Sequence, residues 1–183
     1  FAKRHRGLFL YPVASEEAER LKEYLAKDRS VIRIEIAGSI RRRKEVVKDI
    51  DILASSKKPA ALMARFVKAK GIETVTAHGE TKSSVVLESG IAADLRVVSD
   101  EQFPYALHHF TGSREHNVAM RQRAKDRGLK MNEYGLFRDE KNIACKDETA
   151  LFAKLDLPFI PPELREDMGE IEAGEIPRLI EER

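Results

Sequence analysis

The sequence predicts an α/β (α+β) chain in two parts, and three observations carry this reading. Through roughly the first hundred residues, β-branched runs of strand length alternate with amphipathic helical segments. Near residues 99–102 that texture gives way to helical periodicity, which marks the candidate boundary. The 183 residues, 42% hydrophobic and 35% charged, suffice to bury one core or two small ones.

Residues 15–28 read as a helix with Ser15 as N-cap, acids in its first turn, and Ala18, Leu21 and Leu25 on one face. Val31, Ile32, Ile34 and Ile36 then make a strand that enters a tight turn at Ala37-Gly38-Ser39. Ile50 to Ala54 is a second strand, and because side chains alternate along it, Asp49 and Asp51 fall on one face. A helix over 59–69 tolerates Pro59 in its first turn, where a missing N–H costs nothing. Strands at 72–77, 82–88 and 91–98, set apart by Gly79 and Gly90, have the spacing of a β-meander. Helices follow at 101–110 and 113–127, the second with Ser113 as N-cap and Gly128 as its C-terminal stop. Residues 129–137 suit strand and turn, 147–155 one more short helix, and Pro158, Pro161 and Pro162 break regularity before an acidic end.

Composition excludes some classes. No apolar run reaches the roughly 20 residues a spanning helix needs, so no membrane association is expected. Cys145 is the one cysteine and cannot form an internal disulfide; its neighbours offer no metal-ligand spacing, and a reducing, cytoplasmic setting is expected. Thirty-three basic against thirty-one acidic side chains are too balanced to announce nucleic acid, so the distribution of charge matters more. Arg41, Arg42, Arg43, Lys44 and Lys48, with Glu45 the one acid among them, abut the Asp49/Asp51 pair. Arg114, Arg121, Arg123, Lys125, Arg127 and Lys130 outnumber Glu115 and Asp126, whereas acids dominate from Glu163 onward and would repel a phosphate backbone. Phe1 in place of Met, with no signal-peptide pattern, suggests an internal piece of a longer protein.

The chemistry concentrates in Ala37-Gly38-Ser39-Ile40-Arg41-Arg42, followed by Asp49-Ile50-Asp51. A Gly-Ser turn at a strand end offers backbone N–H groups and a hydroxyl to phosphate oxygens, because Gly lets the backbone approach closely. Arg42 adds a planar, permanently charged fork for the same oxygens. Two carboxylates on one strand face repel each other strongly unless a cation sits between them. Oxygen donors without His or Cys favour Mg²⁺ or Mn²⁺ over Zn²⁺. Asp94, an acid inside the apolar run 91–98, is the candidate third carboxylate, able to help hold a second ion and receive a proton from an attacking hydroxyl.

These residues resemble the nucleotidyltransferase superfamily. A second block narrows the resemblance: Phe110-Thr111-Gly112-Ser113-x-x-x-Asn117-x-x-x-Arg121, then Gly128, then Asn132-Glu133-Tyr134-Gly135-Leu136-Phe137, is similar to the family X DNA polymerases, of which DNA polymerase beta is the best-known type. The likeness covers about residues 8–157. It implies a palm with a mixed β-sheet flanked by helices over 1–100, then a small, mainly helical thumb with a short β-hairpin over 101–183. It also implies template-directed addition of a deoxynucleotide from a dNTP to a primer 3′-OH, with gap filling in DNA repair as the setting. Asp49, Asp51 and Asp94 match the family's holders of two Mg²⁺ ions, with Mn²⁺ an alternative. Gly38, Ser39 and Arg42 match the phosphate-binding positions; His109, Phe110 and Gly112 would sit against the sugar, and Asn117 against the minor-groove edge of the base. Acceptors occur there in every base pair, so a donor tests pair geometry without reading sequence. Arg121 matches a template contact; Lys125, Glu133 and Tyr134 are further DNA-binding candidates.

Three positions depart from the family pattern. Lys48 stands where Gly often precedes the first metal aspartate and could reach the triphosphate; Ala92 replaces an Arg that steadies the third carboxylate; His109 replaces a Tyr. The resemblance implies a monomer working on primer-template or gapped DNA, of bacterial or archaeal type. Neither an N-terminal helix-hairpin-helix module nor a C-terminal phosphoesterase domain is in the sequence, and the acidic end Glu170 to Arg183 is expected to be a linker. Terminal transferase, small-molecule adenylyltransferase and non-catalytic DNA scaffold stay open as alternatives, separable by template dependence and metal binding.

Overall fold

The computed structural model describes residues 7–173, which divide between Phe103 and Pro104 into two units. In the first unit the elements run β1 (Phe9–Leu10), α1 (Tyr11–Ala26), β2 (Val31–Ala37), α2 (Gly38–Arg41), β3 (Val46–Val47), β4 (Asp49–Ser56), α3 (Pro59–Phe66), β5 (Ile72–His78), β6 (Lys82–Leu87) and β7 (Ala92–Val98). Five of the strands form one sheet in the order β2-β4-β7-β6-β5. The meander β5-β6-β7 and the β2/β4 pair are antiparallel, while β4 and β7 run parallel, so the sheet is mixed. A parallel pair needs a long connection, supplied here by α3 and the first two meander strands.

Alternation decides the two faces. Ile50, Ile52, Val85, Leu87, Ala93 and Leu95 point into a core closed by Ala18, Leu21 and Leu25 of α1 and Leu62, Met63 and Phe66 of α3. The intervening residues Asp49, Asp51, Asp94 and Arg96 are half-buried on the other face.

Several boundaries differ from the sequence expectation. Helix α1 starts at Tyr11, so Ser15 lies inside it, and Leu10 precedes it without a side-chain cap. Pro12 occupies the first turn, and the Tyr11 N–H donates to the Glu45 carbonyl at 2.9 Å. A short β1/β3 ladder, with Leu10 opposite Val46, holds that start in place. Ala37-Gly38-Ser39 leads into the one-turn helix α2 rather than a simple turn, and α3 stops at Phe66, short of residue 69.

The second unit contains α4 (Phe103–Thr111), which begins at the junction, then α5 (Arg114–Asp126), β8 (Lys130–Asn132), β9 (Gly135–Arg138), β10 (Lys141–Asn142), α6 (Glu148–Lys154) and a 3₁₀ turn, Pro162–Leu164. Ser113 caps α5 by accepting the His116 N–H. At the other end Gly128, with φ +74°, donates to the Lys125 carbonyl while the Leu129 N–H reaches Ala124, which together satisfy the last carbonyls of the helix. Asn132 Oδ1 accepts the N–H groups of Tyr134 and Gly135 and so shapes the β8/β9 hairpin. The two-residue β10 joins as a third strand that is too short to leave a sequence pattern. Tyr105, Met120, Ala124, Leu136, Leu151 and Phe152 are among the residues of this unit's own core. Among the described residues no helix is long and apolar enough to cross a membrane.

Candidate active site

Strand register brings the predicted carboxylates together. In the β4/β7 ladder Asp51 lies opposite Asp94, and Asp49 opposite Ala92, so all three acids share the face that the helices leave open. Asp51 is also the partner of Ala37 at the end of β2, immediately before the turn. That turn closes over the carboxylate: a Cβ on Gly38 would stand 2.8 Å from Asp51 Oδ2, and Gly38 has φ +66°. Glycine is required here for both the backbone angle and the close approach. Ser39 and Arg42 follow, each half-buried, whereas Lys48 is exposed.

The acids are crowded and partly dehydrated. Burial, then the neighbouring Asp49 charge, pushes the Asp51 carboxyl up to about 6 against the attraction of Arg96. Burial and then Asp94 push Asp49 upward as well. Protein cations offset part of this: Arg96 Nη1 donates to Asp51 Oδ1 at 3.1 Å, and Lys82 Nζ lies 3.9 Å from Asp94 Oδ2. Although strand pairing puts the three acids on one face, neither they nor any other group of three His, Cys, Asp or Glu among the described residues forms a ready-made ligand cluster. An all-carboxylate donor set in which neighbouring charge helps to raise the pKa of Asp49 and Asp51 still suits a hard divalent cation, which relieves that repulsion.

Arg96 and Lys82 escaped the sequence reading. Arg96 lies two residues after Asp94 on the same strand, so alternation could have placed it on the acidic face. Lys82 becomes a neighbour only through the β6/β7 pairing, in which Ser84 opposes Asp94.

In the second unit the other predicted residues gather at the α4–α5 corner. The peptide between Gly112 and Ser113 is cis, and Gly112 has φ +74°. His109 and Phe110 stack edge to face, with ring centroids 4.9 Å apart. Asn117 Nδ2 donates to the His109 carbonyl at 2.7 Å, while its Oδ1 is buried without a hydrogen-bond partner among the described residues. Asn117 lines a small cavity with Tyr105, His109, Arg121 and Asn132. Glu133 lies 3.7 Å from His109 Nε2; Arg121, Lys125 and Tyr134 are exposed. Of the other basic residues on α5 and at its end, Arg123 donates to the Leu155 carbonyl and Arg127 pairs with Asp156, which leaves them structural work within the unit.

The acidic end is partly a structural element rather than a linker. Glu170 Oε2 and His116 Nδ1 are 2.6 Å apart, with both side chains at most 5% exposed, and His116 Nε2 is 3.1 Å from His108 Nε2. This long-range pairing has no local sequence signal. The expected linker beyond residue 173 lies outside the described residues.

Comparison with known proteins agrees with the fold. The family described as DNA polymerase beta thumb matches residues 106–166. The chain is 41% identical over 159 residues to the DNA polymerase/3′-5′ exonuclease PolX of Bacillus subtilis, covering 85% of this chain and 28% of that relative. It is 29% identical over 136 residues to the Repair DNA polymerase X of African swine fever virus, covering 70% of this chain and 78% of the viral one. The crystal structure of Leishmania infantum polymerase beta, described as a ternary P/T complex, superposes with a TM-score of 0.74 at 25% identity, over 87% of this chain and 77% of that one. The mixed sheet and the thumb-type unit together define the fold class of DNA polymerase beta. Within that class, the chain is similar to the family X DNA polymerases, and it spans less than a third of the length of the Bacillus relative.

Proposed function

We propose that this chain is the catalytic part of a DNA-directed DNA polymerase, a nucleotidyltransferase that adds a templated deoxynucleotide to a primer 3′-OH and fills short gaps during DNA repair. The observation that carries the reading is the alignment of Asp51 with Asp94 across β4 and β7, with Asp49 on the same face and the Gly38 turn against Asp51. Residues 1–100 serve as the palm and 101–183 as the nucleotide-selecting thumb. Asp49, Asp51 and Asp94 hold two divalent ions, Mg²⁺ or Mn²⁺. When bound, these ions supply Lewis acidity toward the primer hydroxyl and neutralise charge on the departing phosphates.

Asp94 orients the hydroxyl, and its carboxylate face is set by the strand pairing with Asp51. The turn at Gly38 and Ser39, with Arg42, binds the phosphates that leave, and Lys48 adds positive charge from the loop. His109, Phe110 and Gly112 pack on the sugar. Asn117, held by its Nδ2 donation to the His109 carbonyl, turns the second Nδ2 hydrogen toward the acceptors on the minor-groove edge of the base. Arg121, Lys125, Glu133 and Tyr134 contact DNA. The protein acts as a cytoplasmic monomer on primer-template or gapped DNA with dNTP.

Single-nucleotide extension on a one-nucleotide gap, with each dNTP and each metal in turn, tests this reading. The expected result is addition of the templated nucleotide only, with Asp94→Ala abolishing turnover while retaining part of the nucleotide binding. Unchanged turnover in Asp94→Ala would overturn the assignment. Addition without regard to template would point to a terminal transferase instead.

A further inference from the structure

The segment from Ile160 to Glu170 grips the α4–α5 corner at two points. At the first, the Glu170 carboxylate accepts the N–H of Met168 on Oε1 at 2.8 Å and the N–H of Asp167 on Oε2 at 3.2 Å, in addition to meeting His116 Nδ1. An acceptor with this many donors stays ionised, which requires the hydrogen of His116 to sit on Nδ1. His116 is fully buried, a setting that disfavours a second proton on the ring. Its Nε2 therefore presents a lone pair, and His108 Nε2 donates to it. The His108 ring in turn packs edge-on against Phe152, with centroids 5.4 Å apart. Glu170 thus orders a chain of hydrogen bonds that runs from the end of the described chain to the middle of α4.

At the second point, the Ser113 N–H donates to the Arg165 carbonyl at 2.8 Å, while Ser113 Oγ accepts the His116 N–H. Arg165 is completely buried, and its guanidinium donates to the Ile160 carbonyl at 2.9 Å and to Glu148 at 2.7 Å. His109, Phe110 and Gly112 lie in sequence between the anchored His108 and Ser113, Asn117 directly follows the anchored His116, and the Asn117 amide closes the corner onto the His109 carbonyl.

We propose that Glu170, acting through His116 and His108, and Arg165, acting through Ser113, are positioning residues that set the nucleotide-facing geometry of His109, Phe110, Gly112 and Asn117, and hence the discrimination between correct and incorrect nucleotides. This rests on the polymerase reading given above. Loosening the corner weakens binding of a correctly paired nucleotide more than binding of a mismatched one, because only the correct pair uses the full set of contacts. The chemical step, carried by Asp49, Asp51 and Asp94, is left nearly intact.

The test compares the unaltered chain with Glu170→Ala, Glu170→Gln and Glu172→Ala in single-nucleotide insertion on gapped DNA, alongside thermal melting. Glu170→Ala is expected to raise KM for the correct dNTP about tenfold with kcat within about twofold, and to narrow the correct-to-incorrect ratio. Glu170→Gln, whose amide oxygen can still accept from His116 Nδ1, is expected to recover most of this. Glu172→Ala removes an exposed charge two residues away and should change nothing. A lowered melting temperature with unchanged KM and unchanged ratio overturns the proposal, as does Glu170→Gln behaving no better than Glu170→Ala. If Glu170→Ala does not fold, Glu170→Asp carries the same test, since it keeps the charge but withdraws the carboxylate by one methylene.

Equilibrium titration of dNTP into the complex with gapped DNA bearing a dideoxy-terminated primer separates the two ideas. Weaker binding of the correct dNTP by Glu170→Ala supports the positioning role without any chemistry, and equal binding overturns it. Nucleotide binding without templated insertion by the unaltered chain would overturn the polymerase reading alone.

Discussion

Asp51 and Asp94 face each other residue against residue in the parallel β4/β7 pairing, and each leans on a different cation, Arg96 for the first and Lys82 for the second. Two acids held abreast by backbone hydrogen bonds cannot separate to relieve their repulsion, so the relief has to come from positive charge. Arg96 and Lys82 provide it incompletely, since the Asp51 carboxyl still stands at about 6. On the proposed reading, a more compact and more highly charged cation would take over from these protein cations.

The Gly38 contact gives a stability prediction. Gly38→Ala combines a left-handed backbone angle with a Cβ at 2.8 Å from Asp51 Oδ2, whereas Gly128→Ala meets the same kind of angle with nothing within 4 Å. Gly38→Ala is expected to cost about 2–3 kcal/mol and Gly128→Ala about 1 kcal/mol in denaturant unfolding. Equal losses would mean that the turn can move off the carboxylate.

The raised Asp51 pKa predicts how stability depends on pH and metal. Its folded value of about 6 exceeds the ordinary 3.8, so the native state holds its proton more tightly than the unfolded chain does. Stability is then favoured below the unfolded value and falls as pH rises from about 4 through about 6, by on the order of 3 kcal/mol for this half-buried group. Without divalent cations, Asp51→Asn should raise the melting temperature near neutral pH and flatten this slope. Added Mg²⁺ or Mn²⁺ should stabilise the unaltered chain and leave Asp51→Asn largely unaffected. A metal-induced shift of equal size in both proteins would remove Asp51 from the ligand set.

On the proposed reading, Arg96 competes with a bound cation for Asp51. Arg96→Ala removes the 3.1 Å contact and should lower the stability of the cation-free protein by about 1 kcal/mol. Divalent-ion affinity, read by isothermal titration, should rise severalfold, because the ion no longer displaces a guanidinium. Weaker metal binding in this variant would show that Arg96 supports the site rather than competing for it.

In the second unit, Arg165 and Glu148 are buried at 0% and 5% side-chain exposure and lie 2.7 Å apart. Arg165→Met strands the Glu148 carboxylate and is expected to cost about 3–5 kcal/mol. The double variant Arg165→Met/Glu148→Leu should recover more than half of that, because an apolar pair needs no charge partner. Chemical unfolding of the single and double variants checks this, and equal losses in both would locate the cost in packing rather than in the unpaired charge.

Much of the site could be read from local pattern. The period-two alternation put Asp49 and Asp51 on one face, and the caps at Ser113 and Gly128 bounded α5 as expected. What local pattern misses is whatever depends on distant pairing. The register of Asp51 with Asp94 joins residues 43 positions apart, and only the completed sheet determines it. Glu170 looked like the start of a charged tail because its partner His116 is 54 positions away and on another element. The start of α1 was misplaced for a local reason. Ser15 and the acids after it resemble a cap, yet Pro12 and the two-residue β1/β3 ladder begin the helix earlier.

Placing the acids on both sides of the parallel β4/β7 seam has a consequence for synthesis and breakdown. A nascent chain that has emerged only as far as β6, or a proteolytic fragment that ends there, carries Asp49 and Asp51 but lacks the strand that bears Asp94. Such a piece has half a pocket on an open sheet edge. On the proposed reading, phosphoryl-transfer competence arrives only with the last strand of the sheet, and an incomplete polypeptide is chemically silent rather than partially active.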